Sequence, residues 1–434
     1  VPESWPVLDQ DTISAMAGRP YAETAKSVLY PFVEGEIDQN TFAHMVDEAY
    51  AGFGHRAVAP LVQLGDNDWV LELFHGPTLA FKDVAMQLLA RLMDHVLAER
   101  GERATIVGAT SGDTGGAAIE AFRGRDNTDI FILFPKGKVS PVQQRQMTTV
   151  SDANVHCIAV EGDFDACQAI VKDMFNHLEF RDRMKLAGVN SINWARIMAQ
   201  IVYYFTAATS LGGPDRAVSF CVPTGNFGDI FAGYVAQQMG LNIDQLLIAT
   251  NRNDILTRTL ETSRYEKATT QPTMSPSMDI QVSSNFERLL FDASGRNAAT
   301  VRSQMESLRQ SGSFTIAEET FTRMKADFSA GACDEAQTAE QIRNTLETSD
   351  YLADPHTAVG LYVAHTAPSK SPMVTLATAH PAKFPAAVEQ ASGVHPALPV
   401  RMSDLMERDE RFTVLPNSVS EIEAFISSRS RAAV

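Results

Sequence analysis

Three short segments of the 434-residue chain combine residue types that can do chemistry. The first runs Leu73-Phe-His-Gly-Pro-Thr-Leu-Ala-Phe-Lys82-Asp83. After Lys82, apolar residues stand at Ala85, Leu88, Leu89, Leu92, Met93, Val96 and Leu97, spacings of three and four that mark one stripe of a helix. Lys82 therefore opens that helix, where the helix dipole disfavours a positive charge. Flanked by Phe81 and apolar neighbours, its amine is expected to have a lowered pKa, and a neutral amine is what Schiff-base formation requires. A solvated lysine capped near Asp83 is the alternative reading of the same residues.

The second segment, Val107 to Ala118, contains Thr110-Ser111-Gly112-Asp113-Thr114-Gly115-Gly116 between a strand pattern and a helix pattern. Backbone N–H groups and a helix start pointing into a loop rich in hydroxyls suit a carboxylate or a phosphate. The segment is neither a P-loop nor a GxGxxG fingerprint. The third, Val222-Pro-Thr-Gly225-Asn226-Phe227-Gly228-Asp229-Ile230, is again a strand-to-helix turn, and its glycines let amides face inward around a phosphate. Either loop read alone could be a plain turn. Two such loops and one apolar-flanked lysine together point to a phosphorylated cofactor in one loop and an anionic substrate in the other. Gly52-Phe53-Gly54 follows a helical pattern, not a strand, which argues against a dinucleotide site.

The elements that must position these segments are legible as alternation. Short β-rich apolar runs at Ala104–Ala109, Ile130–Phe134, Val155–Val160, Val218–Val222, Leu246–Thr250 and Met373–Thr378 are separated by helical patterns. That alternation predicts an α/β protein with parallel sheets covered by helices. Residues 1 to about 65 read as helical, with an amphipathic helix around Asn40 to Tyr50. The stretch from Asn251 to about Asp350 is more polar and reads as an insertion of helices and loops. The expected division is a helical segment over 1–70, a first α/β domain over 71–214, and a second over 215–434 with its insertion at about 252–350.

Composition sets the remaining bounds. Hydrophobic residues make up 44% and charged residues 21%, the balance of an ordinary globular protein. Lys and Arg number 36 against 53 Asp and Glu, a net charge of −17 that disfavours nucleic acid and anionic membrane as partners. The four cysteines, at 157, 167, 221 and 333, form no CxxC pair and read as buried, reduced thiols of a cytoplasmic protein. No apolar run is long enough to span a membrane. The opening Val-Pro-Glu-Ser-Trp-Pro is not a signal peptide and lacks an initiator Met, so an upstream portion is expected to be missing. No His/Cys cluster has metal spacing, so no metal is expected. His75, His356 and His380 read first as residues that orient their loops.

The order of motifs resembles that of the threonine synthase family, pyridoxal-phosphate enzymes of fold type II (tryptophan synthase β-like). The residues that carry the resemblance are FHGPTLAFKD (74–83), TSGDTGGAA (110–118), PVQQRQM (141–147), NSINWARIMAQ (190–200), PTGNFGDI (223–230), SMDIQVSSNFERLL (277–290), DPHTAVG (354–360) and ATAHPAKF (377–384). They span almost the whole chain and match the longer bacterial and fungal branch. The resemblance implies two parallel-sheet domains and pyridoxal 5'-phosphate as cofactor. It implies conversion of O-phospho-L-homoserine and water to L-threonine and phosphate.

It also implies roles. Lys82 matches the Schiff-base lysine, Gly225, Asn226, Phe227, Gly228 and Asp229 the loop for the cofactor's phosphate, and Thr378 the hydroxyl facing the pyridine nitrogen. A neutral Thr378 is expected to favour controlled elimination over transamination. Thr110, Ser111, Gly112, Asp113 and Thr114 match the loop for the substrate's carboxylate end. Asn193, Arg196 and Lys383 become candidate contacts for the substrate's phosphate.

Two departures stand out. Much of the wider superfamily has Asn where this chain has Asp113. Asn donates a hydrogen bond to the cofactor's phenolic oxygen and an ionised Asp cannot, which leaves that oxygen's partner open. The family's chains also begin with a further segment before the match to Val1-Pro2-Glu3, and its loss is expected to cost stability or activity. The competing readings are a phospho-lyase or dehydratase of the same superfamily releasing 2-oxobutyrate, a catalytically dead binding protein, and, more weakly, a nicotinamide dehydrogenase. A monomer or a small homo-oligomer is expected.

Overall fold

A computed structural model describes residues 1–367 and 369–432. Two parallel sheets organise the chain. The first strands, β1 (Leu61–Gly65) and β2 (Asp68–Glu72), form an antiparallel hairpin through a turn that holds Asn67 at φ 57°. The remaining strands are β3 (Ala104–Ala109), β4 (Thr128–Pro135), β5 (Val155–Glu161), β6 (Leu186–Ala187), β7 (Val218–Pro223), β8 (Ile243–Thr250), β9 (Arg264–Glu266), β10 (Ser313–Thr315), β11 (Phe328–Ala332), β12 (Met373–Ala377) and β13 (Thr413–Pro416). One sheet has the order β13-β5-β4-β3-β6 and is parallel throughout. The other has the order β1-β2-β12-β7-β8-β11 and is parallel from β2 onward. Strands β9 and β10 pair alone.

The N-terminal part carries helices α1 (Gln10–Ser14), α2 (Tyr21–Leu29) and α3 (Gln39–Ala51). Next come α4 (Lys82–Arg100), α5 (Asp113–Phe122), α6 (Pro141–Thr148), α7 (Phe164–Asn176), α8 (Leu178–Arg183), α9 (Trp194–Ser210) and α10 (Gly228–Gln238). All six strands expected from the sequence are present, and α4 begins at Lys82 as its stripe predicts. Three readings need correction. Residues 61–65 are a strand rather than helix; the region 252–350 supplies three strands, one of which, β11, extends a main sheet; and β13, near the end of the chain, joins the sheet of β3–β5.

Helix α4 serves two cores. Val84, Ala85, Leu88 and Leu92 pack with α9, α10 and the N-terminal helices, while Met86, Leu89 and Ala90 pack with α5 and strands β3 and β4. Every residue from Lys82 to Ala90 is buried, so the first half of the helix has no polar face. Polar Lys82, Asp83 and Gln87 in that stretch must therefore find partners inside the protein. Strands β12 and β7 of one sheet, and β3 of the other, deliver their C-terminal ends to one cleft, the place where α/β folds bind ligands.

Candidate active site

That cleft has a volume of about 1140 Å³ and is lined by Lys82, the Thr110–Thr114 loop, Arg196, the Gly225–Asp229 loop and Thr378. Lys82 is the first residue of α4, and the position before it provides no side-chain cap. The Asp83 carboxylate, which could have capped Lys82, turns back instead to accept from Thr78 N and Thr78 Oγ1, both at 2.7 Å. Burial raises the Asp83 pKa to about 6 in spite of those bonds. The Lys82 ammonium sits 5.0 Å from the Phe81 ring centroid and 3.3 Å from Asp113 Oδ2. Burial lowers its pKa, aided by the positive charges of Lys383 and Arg196, and Asp113 only partly opposes this. The solvated-lysine reading is therefore incorrect, and the amine has the character Schiff-base chemistry needs.

Asp113 is the first residue of α5 and is clasped from several directions. Lys383 Nζ lies 2.8 Å from Oδ1, Gln143 Nε2 donates to Oδ1 at 2.8 Å, and Ser277 Oγ lies 3.4 Å from Oδ2. Burial by itself would raise its pKa, but the two ammonium groups of Lys383 and Lys82 hold it well below the usual carboxylate range. Gly112, just before it, has φ 143°, and a Cβ there would stand 2.4 Å from the Gln143 side chain, so the bond to Asp113 needs glycine at this point.

The third segment makes a cradle. A Cβ at Gly225 would lie 2.9 Å from the Ser277 carbonyl and 3.4 Å from Met278 Cα. Phe227 takes a left-handed conformation, φ 63°, and its buried ring packs against Phe286 and Phe328 at 5.3 and 5.7 Å, which pins the loop. The first N–H groups of α10 have no intrahelical partner and so are free to meet an anion. The carboxylate of Asp229 does not compete for them. It accepts from Tyr203 and Tyr204 on α9, and burial raises its pKa to about 6. Arg196 is buried on the cleft wall, donates one bond to Val189 O at 3.0 Å, and leaves its Nε without a hydrogen-bond partner among the described residues. Burial lowers its pKa to about 10.

The structure brings most of the expected residues together and leaves three aside. Lys82, Thr110, Ser111, Asp113, Thr114, Arg196, Gly225, Asn226, Phe227, Gly228, Asp229 and Thr378 line the cleft. Gly112 caps α5 behind it. Asn193 caps α9, accepting from Ala195 N at 3.0 Å, and is not part of the lining. Lys383 is fully buried and bonded to Asp113 and to Thr78 O at 2.8 Å, so its charge is already matched. Both had been expected to meet the substrate's phosphate, and both have other partners. Sequence reading assigned no role to Gln143, Ser277 or Asn190, although each lies within a segment that carries the resemblance. His356 also lines the cleft: Asp354 holds its Nδ1 at 2.7 Å, and its Nε2 accepts from Ser277 N. His75 pairs with Glu72 at 2.7 Å and His380 accepts from Ala382 N, both loop-orienting arrangements.

These residues fit pyridoxal phosphate. A buried lysine of lowered pKa, a glycine-bearing helix start cleared of its own carboxylate, and a neutral hydroxyl at Thr378 are the groups its aldehyde, phosphate and ring nitrogen call for. Comparison with known proteins supports the cofactor. Residues 55–305 match the family described as pyridoxal-phosphate dependent enzyme, so fold and site define a fold type II enzyme of that class. Residues 1–50 match the family described as threonine synthase N terminus, and residues 357–426 that described as threonine synthase, C-terminal. The chain is 55% identical to a threonine synthase of Pseudomonas aeruginosa over 98% of its own length and 92% of that protein. A PLP-bound threonine synthase from Brucella melitensis superposes with a TM-score of 0.98 at 63% identity, over 99% of this chain and 93% of that one. The yeast threonine synthase gives 0.93 at 38% identity, over 99% and 92%. The chain belongs to the threonine synthase family.

Proposed function

We propose that the protein converts O-phospho-L-homoserine and water to L-threonine and phosphate, with Lys82 as the residue that holds and releases the cofactor. Pyridoxal phosphate, when bound, supplies an electron sink for carbanions next to the carbon bearing the substrate's amine. The Gly225–Asp229 loop and the start of α10 hold its phosphate through backbone N–H groups. Thr378 meets the ring nitrogen as a neutral hydroxyl.

The chain's own residues do the rest. The Lys82 amine, its pKa lowered by burial, takes protons from Cα and Cβ and returns them at Cα and Cγ. Asp113, ionised and so able only to accept, steers the Lys82 amine and is itself fixed by Lys383 and Gln143. Hydroxyls and amides of Thr110, Ser111 and Thr114 receive the substrate's carboxylate. Arg196 binds the phosphate that departs from Cγ, after which water adds at Cβ. The observation that carries the substrate class is Arg196: a buried guanidinium, short of a partner, on the wall of the same cleft as Lys82. The four cysteines are free and buried, which suits a reducing compartment such as the cytoplasm.

Product analysis tests this reading. The cofactor-loaded protein is incubated with O-phospho-L-homoserine and the carbon product identified by mass spectrometry. Threonine is expected; 2-oxobutyrate would replace the reading with a phospho-lyase, and unchanged substrate would refute it.

A further inference from the structure

A second cavity, of about 540 Å³, opens between helices α3, α4 and α5 and the segment 401–408. Its wall carries five arginines, Arg91, Arg123, Arg125, Arg401 and Arg408, against two carboxylates, Glu48 and Glu120, and contains no lysine. The chain as a whole has 53 acidic residues and 36 basic ones, so this lining runs against the general charge. Two of the arginines are matched closely: Arg123 by Asp152 at 2.8 Å and Arg408 by Asp404 at 2.7 Å. The other three have no carboxylate closer than 3.5 Å among the described residues. Arg125 approaches Asp94 at 3.8 Å. Arg91 donates through Nη1 to Gln87 O at 2.7 Å and Gln87 Oε1 at 3.0 Å, approaches Glu48 at 3.5 Å, and leaves its buried Nε without a hydrogen-bond partner among the described residues. Arg401 donates to backbone carbonyls, at 2.6 Å to Gly76 and 3.3 Å to His75.

The guanidinium is the side chain best matched to phosphate oxygens, because its planar fork binds them in pairs and it is weakly hydrated. We propose that this cavity is a second ligand site, for a small phosphate-bearing molecule of two or more negative charges, and that its occupancy is felt at Lys82. The connection is short. Thr78 forms part of the cavity wall, and its carbonyl accepts from Gln146 Nε2 at 3.0 Å and from Lys383 Nζ at 2.8 Å. Lys383 holds Asp113, and Asp113 touches Lys82. An anion that draws Arg401 off Gly76 O loosens the 76–78 loop, and with it the carbonyl that aims Lys383. By linkage, substrate and anion alter each other's affinity by the same factor.

The test uses the holoenzyme with inorganic pyrophosphate as the probe, by calorimetric titration in metal-free buffer at constant ionic strength. One saturable site is expected. The double variant Arg91→Gln, Arg125→Gln is expected to bind about tenfold more weakly or worse, with its turnover without pyrophosphate unchanged. Saturating pyrophosphate is expected to change the KM for substrate in the parent enzyme and not in the variant. Should the double variant misfold, Arg125→Glu alone serves the same comparison. No saturable heat beyond that of sodium chloride, or equal affinity in the variant, would overturn the site. Binding that leaves the kinetics unmoved would overturn the coupling.

Discussion

The chain passes twice from a parallel strand through a glycine-bearing loop into a helix with an aspartate at its first or second position, and the two passages treat that aspartate in opposite ways. At the start of α5, Asp113 stays at the positive end of the helix and is gripped by Lys383, Gln143 and Lys82. At the start of α10, Asp229 is drawn aside by Tyr203 and Tyr204. The first helix start comes with its own anion and becomes a clamp on the lysine. The second is left bare for an anion from outside. Similar local sequence thus yields a positioning device in one half and a cradle in the other, and the choice is made by side chains from distant elements.

The largest expected break comes from the lysine that the clamp serves. Lys82→Ala is expected to lower turnover by about a thousandfold or more, the scale of losing a positioned acid–base group, read as initial rate at saturating substrate. Lys383→Met removes one jaw of the clamp and leaves Asp113 short of a partner. It is expected to cost about 3–5 kcal/mol of stability at neutral pH, measured by thermal or chemical unfolding. The depressed pKa of Asp113 fixes the sign of the pH dependence. Its ionised form contributes stability above the ordinary carboxylate range, and that contribution is lost as pH falls through the depressed value. The deficit of Lys383→Met should therefore shrink in acid.

Gly225→Ala tests the cradle, because its Cβ would stand 2.9 Å from the Ser277 carbonyl. Overpacking of about 1–3 kcal/mol predicts that cofactor binding weakens by roughly 10- to 100-fold in a fluorescence titration. Asp229→Asn should have the smallest effect on function, since the carboxylate faces the tyrosines, and cofactor affinity is expected to stay as it is. Its effect is on pH. A pKa of about 6 in the folded chain, against about 4 unfolded, means the parent loses stability as pH rises across that window. The Asn variant lacks that loss and should gain a few degrees in Tm over the parent between pH 4 and pH 7.

How much of this was legible depended on sequence distance. Helix α4 and six strands follow from apolar spacing, and the two loops follow from where glycine and hydroxyl residues fall between them. The β1–β2 hairpin escaped notice although Asp66-Asn67 between two apolar runs is a hairpin signal, because the run was read as the tail of a helical region. Strand β11, Phe-Ser-Ala-Gly-Ala, has little β-propensity and owes its state to the neighbouring strand β8. The partners of the buried charges were not legible. Nothing near Asp113 in the sequence announces Lys383, and nothing near Asp229 announces the tyrosines of α9. Asn193 and Lys383 illustrate this: position in a motif gives their chemistry but not the helix N–H and the carboxylate they face.

The central claim is that Lys82 is the residue joined to the cofactor. Sodium borohydride reduces the carbon–nitrogen double bond of a Schiff base to a stable amine, so the cofactor-loaded protein can be reduced, digested and mapped by mass spectrometry. The account predicts a phosphopyridoxyl mass on the peptide bearing Lys82. A label on Lys383 or any other lysine, or a protein that binds the cofactor and carries no label at all, would contradict it.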